Sequence, residues 1–219
     1  MSKMTIVLGN KNYSSWSLRP WLALRQTGAA FDEVVIPLYV DGYKEQLLRW
    51  SPAGKVPVLK HGDATIWESL AICEYLADAF PDAGLWPADH SVRAVARAVA
   101  TEMHGGFQAL RQNLPMDISR RHPGGGRIAK AKPDIERVTA IWRDCRRRFG
   151  EAGAHGSGPF LFGGFTIADA MYAPVATRFQ TYGVELDPVC AAYSDAVLGM
   201  PAMCDWMSAG AAETWVLPN

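Results

Sequence analysis

The chain has 219 residues, of which 49% are hydrophobic and 20% charged, so one large or two small domains with a packed core are expected. Its 22 lysines and arginines balance 22 aspartates and glutamates, which gives no electrostatic basis for binding nucleic acid or an anionic membrane. No apolar run is as long as a membrane span, and residues 1–5 lack the apolar core of a signal peptide, so we expect a cytoplasmic protein.

Strand and helix patterns alternate along the first 80 residues. Short apolar runs predict strands at residues 5–8, 33–38, 57–60 and 64–67. Apolar residues at helical spacing predict helices at residues 18–26, 43–50 and 69–80. The order β-α-β-α-β-β-α is typical of a small α/β domain, which we expect to cover residues 1–80.

The pattern changes after residue 80. Residues 81–90 contain two prolines and a glycine, which is typical of a linker. Only helical patterns follow, at residues 91–111 (interrupted by Gly105-Gly106), 134–149, 166–181, 189–198 and 202–212. An all-helical second domain is therefore expected over residues 91–219.

The four cysteines all fall in segments with a helical pattern, and none are paired at C-x-x-C spacing. We expect them to be reduced and mostly buried, as small apolar side chains. No pair of cysteines or histidines has the spacing of zinc ligands, so no metal site is predicted.

A serine-rich turn joins the first strand to the first helix. Ser14 and Ser17 have the S-x-x-S spacing that corresponds to C-x-x-C in thioredoxin-like redox proteins. Hydroxyls cannot form a disulfide, but the free N–H groups and the dipole at a helix N-terminus favour an anion. The turn is therefore predicted to donate a hydrogen bond to the thiolate of another molecule.

Two further motifs lie near predicted strand ends. Pro57 is either an ordinary trans proline at a sheet edge or a cis proline, in which case Val56 presents its N–H and C=O to an extended ligand. Ser69 is either the N-cap of the next helix or a hydroxyl that binds a ligand carboxylate. In the second case Glu68 would bind an ammonium, and the end of a free amino acid carries both charges.

In this order and spacing, these motifs and a Thr166-x-x-Asp169 capping box resemble the glutathione transferase superfamily over essentially the whole chain. The resemblance implies a thioredoxin-like α/β N-terminal domain followed by an all-α C-terminal domain. It also implies glutathione as co-substrate, a small hydrophobic electrophile as second substrate, a homodimer and a role in detoxification.

Residue matches with that family predict the glutathione site, and the electrophile is expected between the serine turn and the first long helix of the second domain. Ser14 is the expected catalytic residue, whose hydroxyl bonds the glutathione sulfur. The predicted glutathione-binding residues are Ser14, Lys44, Lys55, Val56, Pro57, Glu68 and Ser69. The predicted electrophile-binding residues are Trp16, Met103, His104, Phe107 and Arg111, with a place in the core as the alternative for Met103, His104 and Phe107. Arg19 is expected to hold the first helix in place, and Arg143 with residues 146–148 to form a solvated cationic face.

The serine motif, residues 105–108 and Arg178 are similar to the zeta class, which includes maleylacetoacetate isomerase. In that class Arg178 would be the cation for a dicarboxylate-like substrate. Trp16 stands where the class has a cysteine, and Glu68 where it often has glutamine. A glutathione-dependent isomerase, and a binding protein that keeps the fold without the catalysis, are therefore alternatives to a conjugating transferase.

Overall fold

A four-stranded mixed sheet forms the centre of the N-terminal domain in the computed structural model, which describes residues 3–123, 126–150 and 157–216. β1 is parallel to β2 and antiparallel to β3, and β3 forms a hairpin with β4, which gives the spatial order β2-β1-β3-β4. The strands are β1 (Met4–Leu8), β2 (Phe31–Val35), β3 (Val58–His61) and β4 (Ala64–Trp67).

Helices cover both faces of this sheet because successive side chains of a strand point to opposite sides. Ile6 and Leu8 of β1 pack in the main core with two of the helices, whereas Val7 packs in a smaller cluster with Leu47 of the third. The helices are α1 (Ser15–Gln26), α2 (Tyr43–Trp50) and α3 (Ser69–Ala79), with α2 on the Val7 side.

The second domain is helical in its described part. A buried helix, α7, lies at its centre and packs against both α1 and α4, so the two domains share one continuous core. The helices are α4 (His90–Gly105), α5 (Gln108–Asn113), α6 (Gly126–Cys145), α7 (Ile167–Tyr182), α8 (Pro188–Leu198) and α9 (Pro201–Ala211). A π-helical turn at Arg146–Gly150 continues α6.

The predicted interruption at Gly105-Gly106 is confirmed: α4 ends at Gly105, and Phe107 adopts a left-handed φ of 61° before α5 begins. Two other predicted element boundaries were wrong. The predicted second strand ends at Val35, and the N–H of Leu38 donates to the Asn10 side chain rather than to a neighbouring strand. Helix α6 begins at Gly126, eight residues before the predicted start, with Pro133 inside it.

The cysteines are free and mostly buried, as predicted: Cys73, Cys145 and Cys190 are buried, and Cys204 is exposed on α9. One further expectation was wrong in part. Arg146 is not on a solvated face: its guanidinium donates to the main-chain carbonyls of Gly158 and Phe160. The other three arginines of that cluster form ion pairs with Asp144 or Asp187.

Within the three described ranges, no group of three or more His, Cys, Asp or Glu side chains is placed to hold a metal ion. None of the helices in those ranges has the length and apolar character needed to cross a membrane.

Candidate functional site

All three N-terminal motifs lie at one edge of the sheet. Because β1 and β3 are antiparallel, Val7 near the end of β1 pairs with Val58 at the start of β3. Val58 in turn pairs with Trp67 at the end of β4. The serine turn, the residues before β3 and the start of α3 therefore meet there.

This edge opens on a cavity of about 1330 Å³ between the two domains. On the N-terminal side it is lined by Tyr13 to Trp16, by aromatic and apolar residues around α2, and by Gly54 to Val56. Residues between α5 and α6, together with Arg178 and Tyr182 of α7, line the opposite side. Val216, beyond α9, also reaches the cavity.

Ser14 is the N-cap of α1 and lies in the cavity wall. Its Oγ accepts from the N–H of Ser17 (3.3 Å) and shares a hydrogen bond of 2.8 Å with the Ser17 hydroxyl. An anion at Ser14 would meet the positive end of the α1 dipole. The structure thus brings the predicted hydroxyl to the predicted helix terminus.

The Val56–Pro57 peptide bond is cis, as one of the two sequence hypotheses required. Val56 and Lys55 line the cavity. In the described part of the chain, neither the N–H nor the C=O of Val56 is bonded to another main-chain group. Both groups are therefore available to an extended ligand.

Ser69 is the first residue of α3 and not its N-cap, so the capping hypothesis was wrong. Glu68 occupies the N-cap position with a left-handed φ of 69°, and its side chain makes no capping bond. The Ser69 side chain is buried, and its Oγ has no hydrogen-bond partner among the described residues. A buried hydroxyl without a partner is costly, which fits a place that a ligand carboxylate completes.

Four of the predicted glutathione-binding residues, Lys44, Pro57, Glu68 and Ser69, do not line the large cavity itself. Pro57 adjoins Val56 in its wall, and Glu68 and Ser69 follow the strand that pairs with β3. Lys44 is exposed on α2, so nothing in the geometry distinguishes it as a ligand.

Trp16 is the centre of the predicted electrophile site. Its indole is 36% exposed and lines the cavity. The guanidinium groups of Arg19 and Arg111 lie 4.3 and 4.7 Å from its ring centroid, and the His104 ring meets it edge-on at 5.3 Å. Burial, followed by the charge of Arg19, lowers the pKa of His104.

Met103 and Phe107 are buried in the core rather than in the cavity wall. Arg111 does line the cavity, and His104 reaches the site only through Trp16. Arg19 is completely buried, and none of its three guanidinium nitrogens has a hydrogen-bond acceptor among the described residues. Burial, and secondarily the charges of Arg111 and Arg178, lower its pKa.

The helical side of the cavity is strongly cationic. Arg178 donates to the carbonyls of Leu114 (2.8 Å) and Pro174 (2.9 Å), and Arg111 donates to the carbonyls of Gly106, Met103 and His104. Neither guanidinium forms an ion pair with any described carboxylate. Burial lowers the pKa of Arg178 to about 9, so it remains charged at neutral pH.

Much of this wall was not predicted from the sequence. Arg120, His122 and Arg127 also line the cavity, and Asp117 is the only acid among the described residues of its lining. The one signal in the sequence was the local density of cations at residues 120–122.

Two family models match the chain. The glutathione S-transferase N-terminal domain matches residues 13–79, and the glutathione S-transferase C-terminal domain matches residues 93–209. A probable maleylacetoacetate isomerase of Caenorhabditis elegans is 30% identical over 191 residues, covering 86% of this chain and 85% of that protein. Glutathione S-transferase 1 of Dianthus caryophyllus is 28% identical over 202 residues, covering 90% and 87%.

Solved structures share the fold. A glutathione S-transferase from the Antarctic clam Laternula elliptica has a TM-score of 0.75 at 21% identity, covering 97% of this chain and 95% of that one. A maleyl pyruvate isomerase, described as a bacterial zeta-class glutathione S-transferase, has a TM-score of 0.71 at 22% identity, covering 96% and 98%. The chain therefore belongs to the glutathione S-transferase family.

Proposed function

We propose that this enzyme activates glutathione as a thiolate at Ser14 for attack on a small electrophile held against the helical domain. One observation carries the proposal: the Ser14 N-cap lies at one sheet edge with the Val56 main chain beside cis-Pro57 and the Ser69 hydroxyl, both of which lack hydrogen-bond partners among the described residues. These groups match the sulfur, the main chain and the γ-glutamyl carboxylate of the tripeptide. Lys55 in the cavity wall remains our candidate for the glycyl carboxylate, with Lys44 a weaker one.

The chain's own groups suffice to favour the thiolate. A free thiol has a pKa of ~8.5, so lowering it by ~2 units requires ~2.7 kcal/mol of differential stabilisation. A hydrogen bond to a charged group contributes roughly 1.5–3 kcal/mol, and a partly buried helix terminus up to ~2 kcal/mol. Together, the Ser14 hydroxyl and the N-terminus of α1 can supply stabilisation of that size. Ser14 then acts as a donor and not as a nucleophile.

The cationic wall favours a second candidate reaction, glutathione-dependent cis–trans isomerisation of a dicarboxylate-like substrate. Arg111 and Arg178 face the cavity without a carboxylate partner in the described chain, so an anionic substrate would compensate their charge. The wall is thus less apolar than a purely hydrophobic electrophile would need. A relative named as a probable maleylacetoacetate isomerase supports this zeta-like candidate.

Four finer assignments belong to the same proposal. We place the domain boundaries at residues 1–80 and 91–219, with 81–90 as the linker, and we assign the enzyme to the cytoplasm as a homodimer with a role in detoxification. These assignments are supported by membership of the glutathione S-transferase family. Light scattering on a size-exclusion column would test the dimer, and a monomer at micromolar concentration would contradict it.

The test compares the parent enzyme with Ser14→Ala. Glutathione should bind both, but the ultraviolet absorbance of the bound thiolate should fall at neutral pH in the variant, and the pH–rate midpoint should rise. Turnover is measured with halogenated aromatics, epoxides, organic peroxides and maleylacetone. An unchanged midpoint would remove Ser14 from its role.

The substrate panel also separates the alternatives. Isomerisation of maleylacetone without conjugation would favour the isomerase. Retention on immobilised glutathione without turnover of any substrate would favour the non-catalytic binding protein.

A further inference from the structure

Two serine hydroxyls at the start of α1 form one hydrogen-bonded pair, although only one of them reaches the cavity. Ser14 Oγ and Ser17 Oγ are 2.8 Å apart. Ser14 lines the cavity, whereas Ser17 is completely buried behind it. The Ser17 Oγ also accepts from the N–H of Gly9, at 3.0 Å, in the turn that follows β1.

Hydrogen-bonding capacity favours one direction for this pair. A serine hydroxyl donates one hydrogen bond and accepts two. In the described chain, Ser14 Oγ is the one acceptor within hydrogen-bonding distance of the Ser17 hydroxyl. If Ser14 donated inward, the proton of buried Ser17 would have no acceptor, which is unfavourable.

The opposite direction satisfies every group. Ser17 then donates to Ser14, whose Oγ also accepts from the N–H of Ser17 at 3.3 Å. Both acceptor positions of Ser14 are filled, so its own proton is left for an atom in the cavity. Donors in series polarise one another, and the series here runs from Gly9 N–H through Ser17 to Ser14.

We infer that Ser17 is a positioning residue that directs the Ser14 hydroxyl proton into the cavity, toward the glutathione sulfur. The inference rests on the proposed function, since it assumes a thiolate at Ser14. It explains why a fully buried hydroxyl stands at the second serine of the S-x-x-S motif. Ser17 acts only through Ser14 and touches no substrate.

The experiment measures bound thiolate by ultraviolet absorbance against pH in the full-length enzyme, for the parent, Ser17→Ala, Ser14→Ala and the double variant. Loss of one neutral hydrogen bond shifts an equilibrium about two- to tenfold, so the midpoint in Ser17→Ala should rise by ~0.3–1 pH unit. In the Ser14→Ala background, Ser17→Ala should add no further shift. Glutathione affinity measured below the midpoint, where the thiol form binds, should be unchanged within about twofold.

Two other variants serve as controls. Ser17→Thr keeps the hydroxyl and should restore most of the parent midpoint. Ser194→Ala removes another buried hydroxyl, from α8, and should leave the midpoint unchanged. If Ser17→Ala does not give folded protein, Ser17→Cys fills the same space with a weak donor and should show an intermediate rise.

The outcomes separate the inference from the function on which it rests. A parent enzyme that binds no glutathione would overturn both. Normal thiolate formation in the parent together with an unshifted Ser17→Ala would overturn only the role of Ser17. Equal shifts in the presence and absence of the Ser14 hydroxyl would show that Ser17 is merely structural.

Discussion

At the scale of single residues, Ser69 is predicted to contribute to glutathione binding but not to stability. Its buried hydroxyl has no partner in the described chain, so it contributes no hydrogen bond to the folded state. We therefore expect Ser69→Ala to keep or slightly raise the free energy of unfolding, since an unpaired buried hydroxyl costs about 1–3 kcal/mol. The KM for glutathione should rise about tenfold while kcat stays nearly constant, because the γ-glutamyl end is remote from the sulfur.

Urea unfolding and steady-state kinetics check this prediction. Glu68→Gln is the companion variant and should also act mainly on KM, by weakening the bond to the ligand ammonium. Ser69→Ala that loses stability and binds glutathione normally would make Ser69 an ordinary structural residue.

Residues whose function depends on local chain geometry were accessible from the sequence. Ser14 follows a strand and precedes a helix, and Pro57 opens a strand, so both sites could be predicted from neighbouring residues. Met103 and Phe107 were misplaced because helical periodicity does not distinguish a buried core face from a cavity wall. His122 and Arg127 reach the cavity only through the path of the segment between α5 and α6, which local patterns do not specify.

At the scale of elements, helix α7 begins with a buried carboxylate. Asp169 accepts from the N–H of Leu161 (3.0 Å) and from the N–H (2.8 Å) and hydroxyl (3.0 Å) of Thr166, which completes the capping box expected from the sequence. Burial raises the pKa of Asp169 to about 6, and these hydrogen bonds only partly offset that effect. The element that joins both domains therefore carries a titrating group in its first turn.

The sign of the pH dependence follows from that pKa. In the unfolded chain Asp169 loses its proton near pH ~3.9, so between pH ~4 and ~6 the folded state holds more protons and stability from this group falls as pH rises. We expect the stability advantage of the parent over Asp169→Asn to be about 2 kcal/mol larger at pH 4 than at pH 7. Thr166→Val keeps the carboxyl and should retain the same direction of dependence. Urea unfolding of the parent and both variants at several pH values tests this prediction. A stability difference between the parent and Asp169→Asn that does not change with pH would refute it.

The boundary between α4 and α5 could be predicted from the sequence only in part. Gly105-Gly106 marked an interruption, but the sequence did not indicate that the chain would turn at Phe107. A Cβ at Gly106 would lie 2.8 Å from the carbonyl of Glu102, so the turn depends on close packing against the preceding helix. Phe107 is buried, and the burial of its side chain, rather than local propensity, fixes its left-handed conformation.

At the scale of the whole molecule, the serine turn is held by the helical domain. The Asn12 side chain bonds Asp117 (3.2 Å) and Ser119 (3.1 and 2.9 Å), in the segment that forms the cationic wall. The Glu213 carboxylate accepts from the N–H groups of Lys11 (2.6 Å) and Asn12 (3.1 Å). Two parts of the second domain thus fix the chain immediately before Ser14.

This arrangement predicts a selective effect of Glu213→Gln. A carboxamide has one acceptor oxygen where the carboxylate has two, so one of the two N–H bonds is lost and the other no longer involves a charge. The serine turn should then move relative to the cationic wall, whereas Val56 and Ser69 should keep their positions in the N-terminal domain. We expect the KM for the electrophile to rise several-fold, the KM for glutathione to stay constant, and the free energy of unfolding to fall by about 1 kcal/mol.

Kinetics with each substrate varied in turn, and amide hydrogen exchange over residues 9–14, measure this effect. Exchange of the Lys11 and Asn12 amides should quicken in Glu213→Gln because their acceptor is weakened. Glu185→Gln changes an exposed glutamate that forms no ion pair in the described chain, and it should match the parent in both measurements. Equal increases in both KM values would mean that Glu213 supports the glutathione site as a whole, and unchanged exchange would mean that its two hydrogen bonds do not hold the turn.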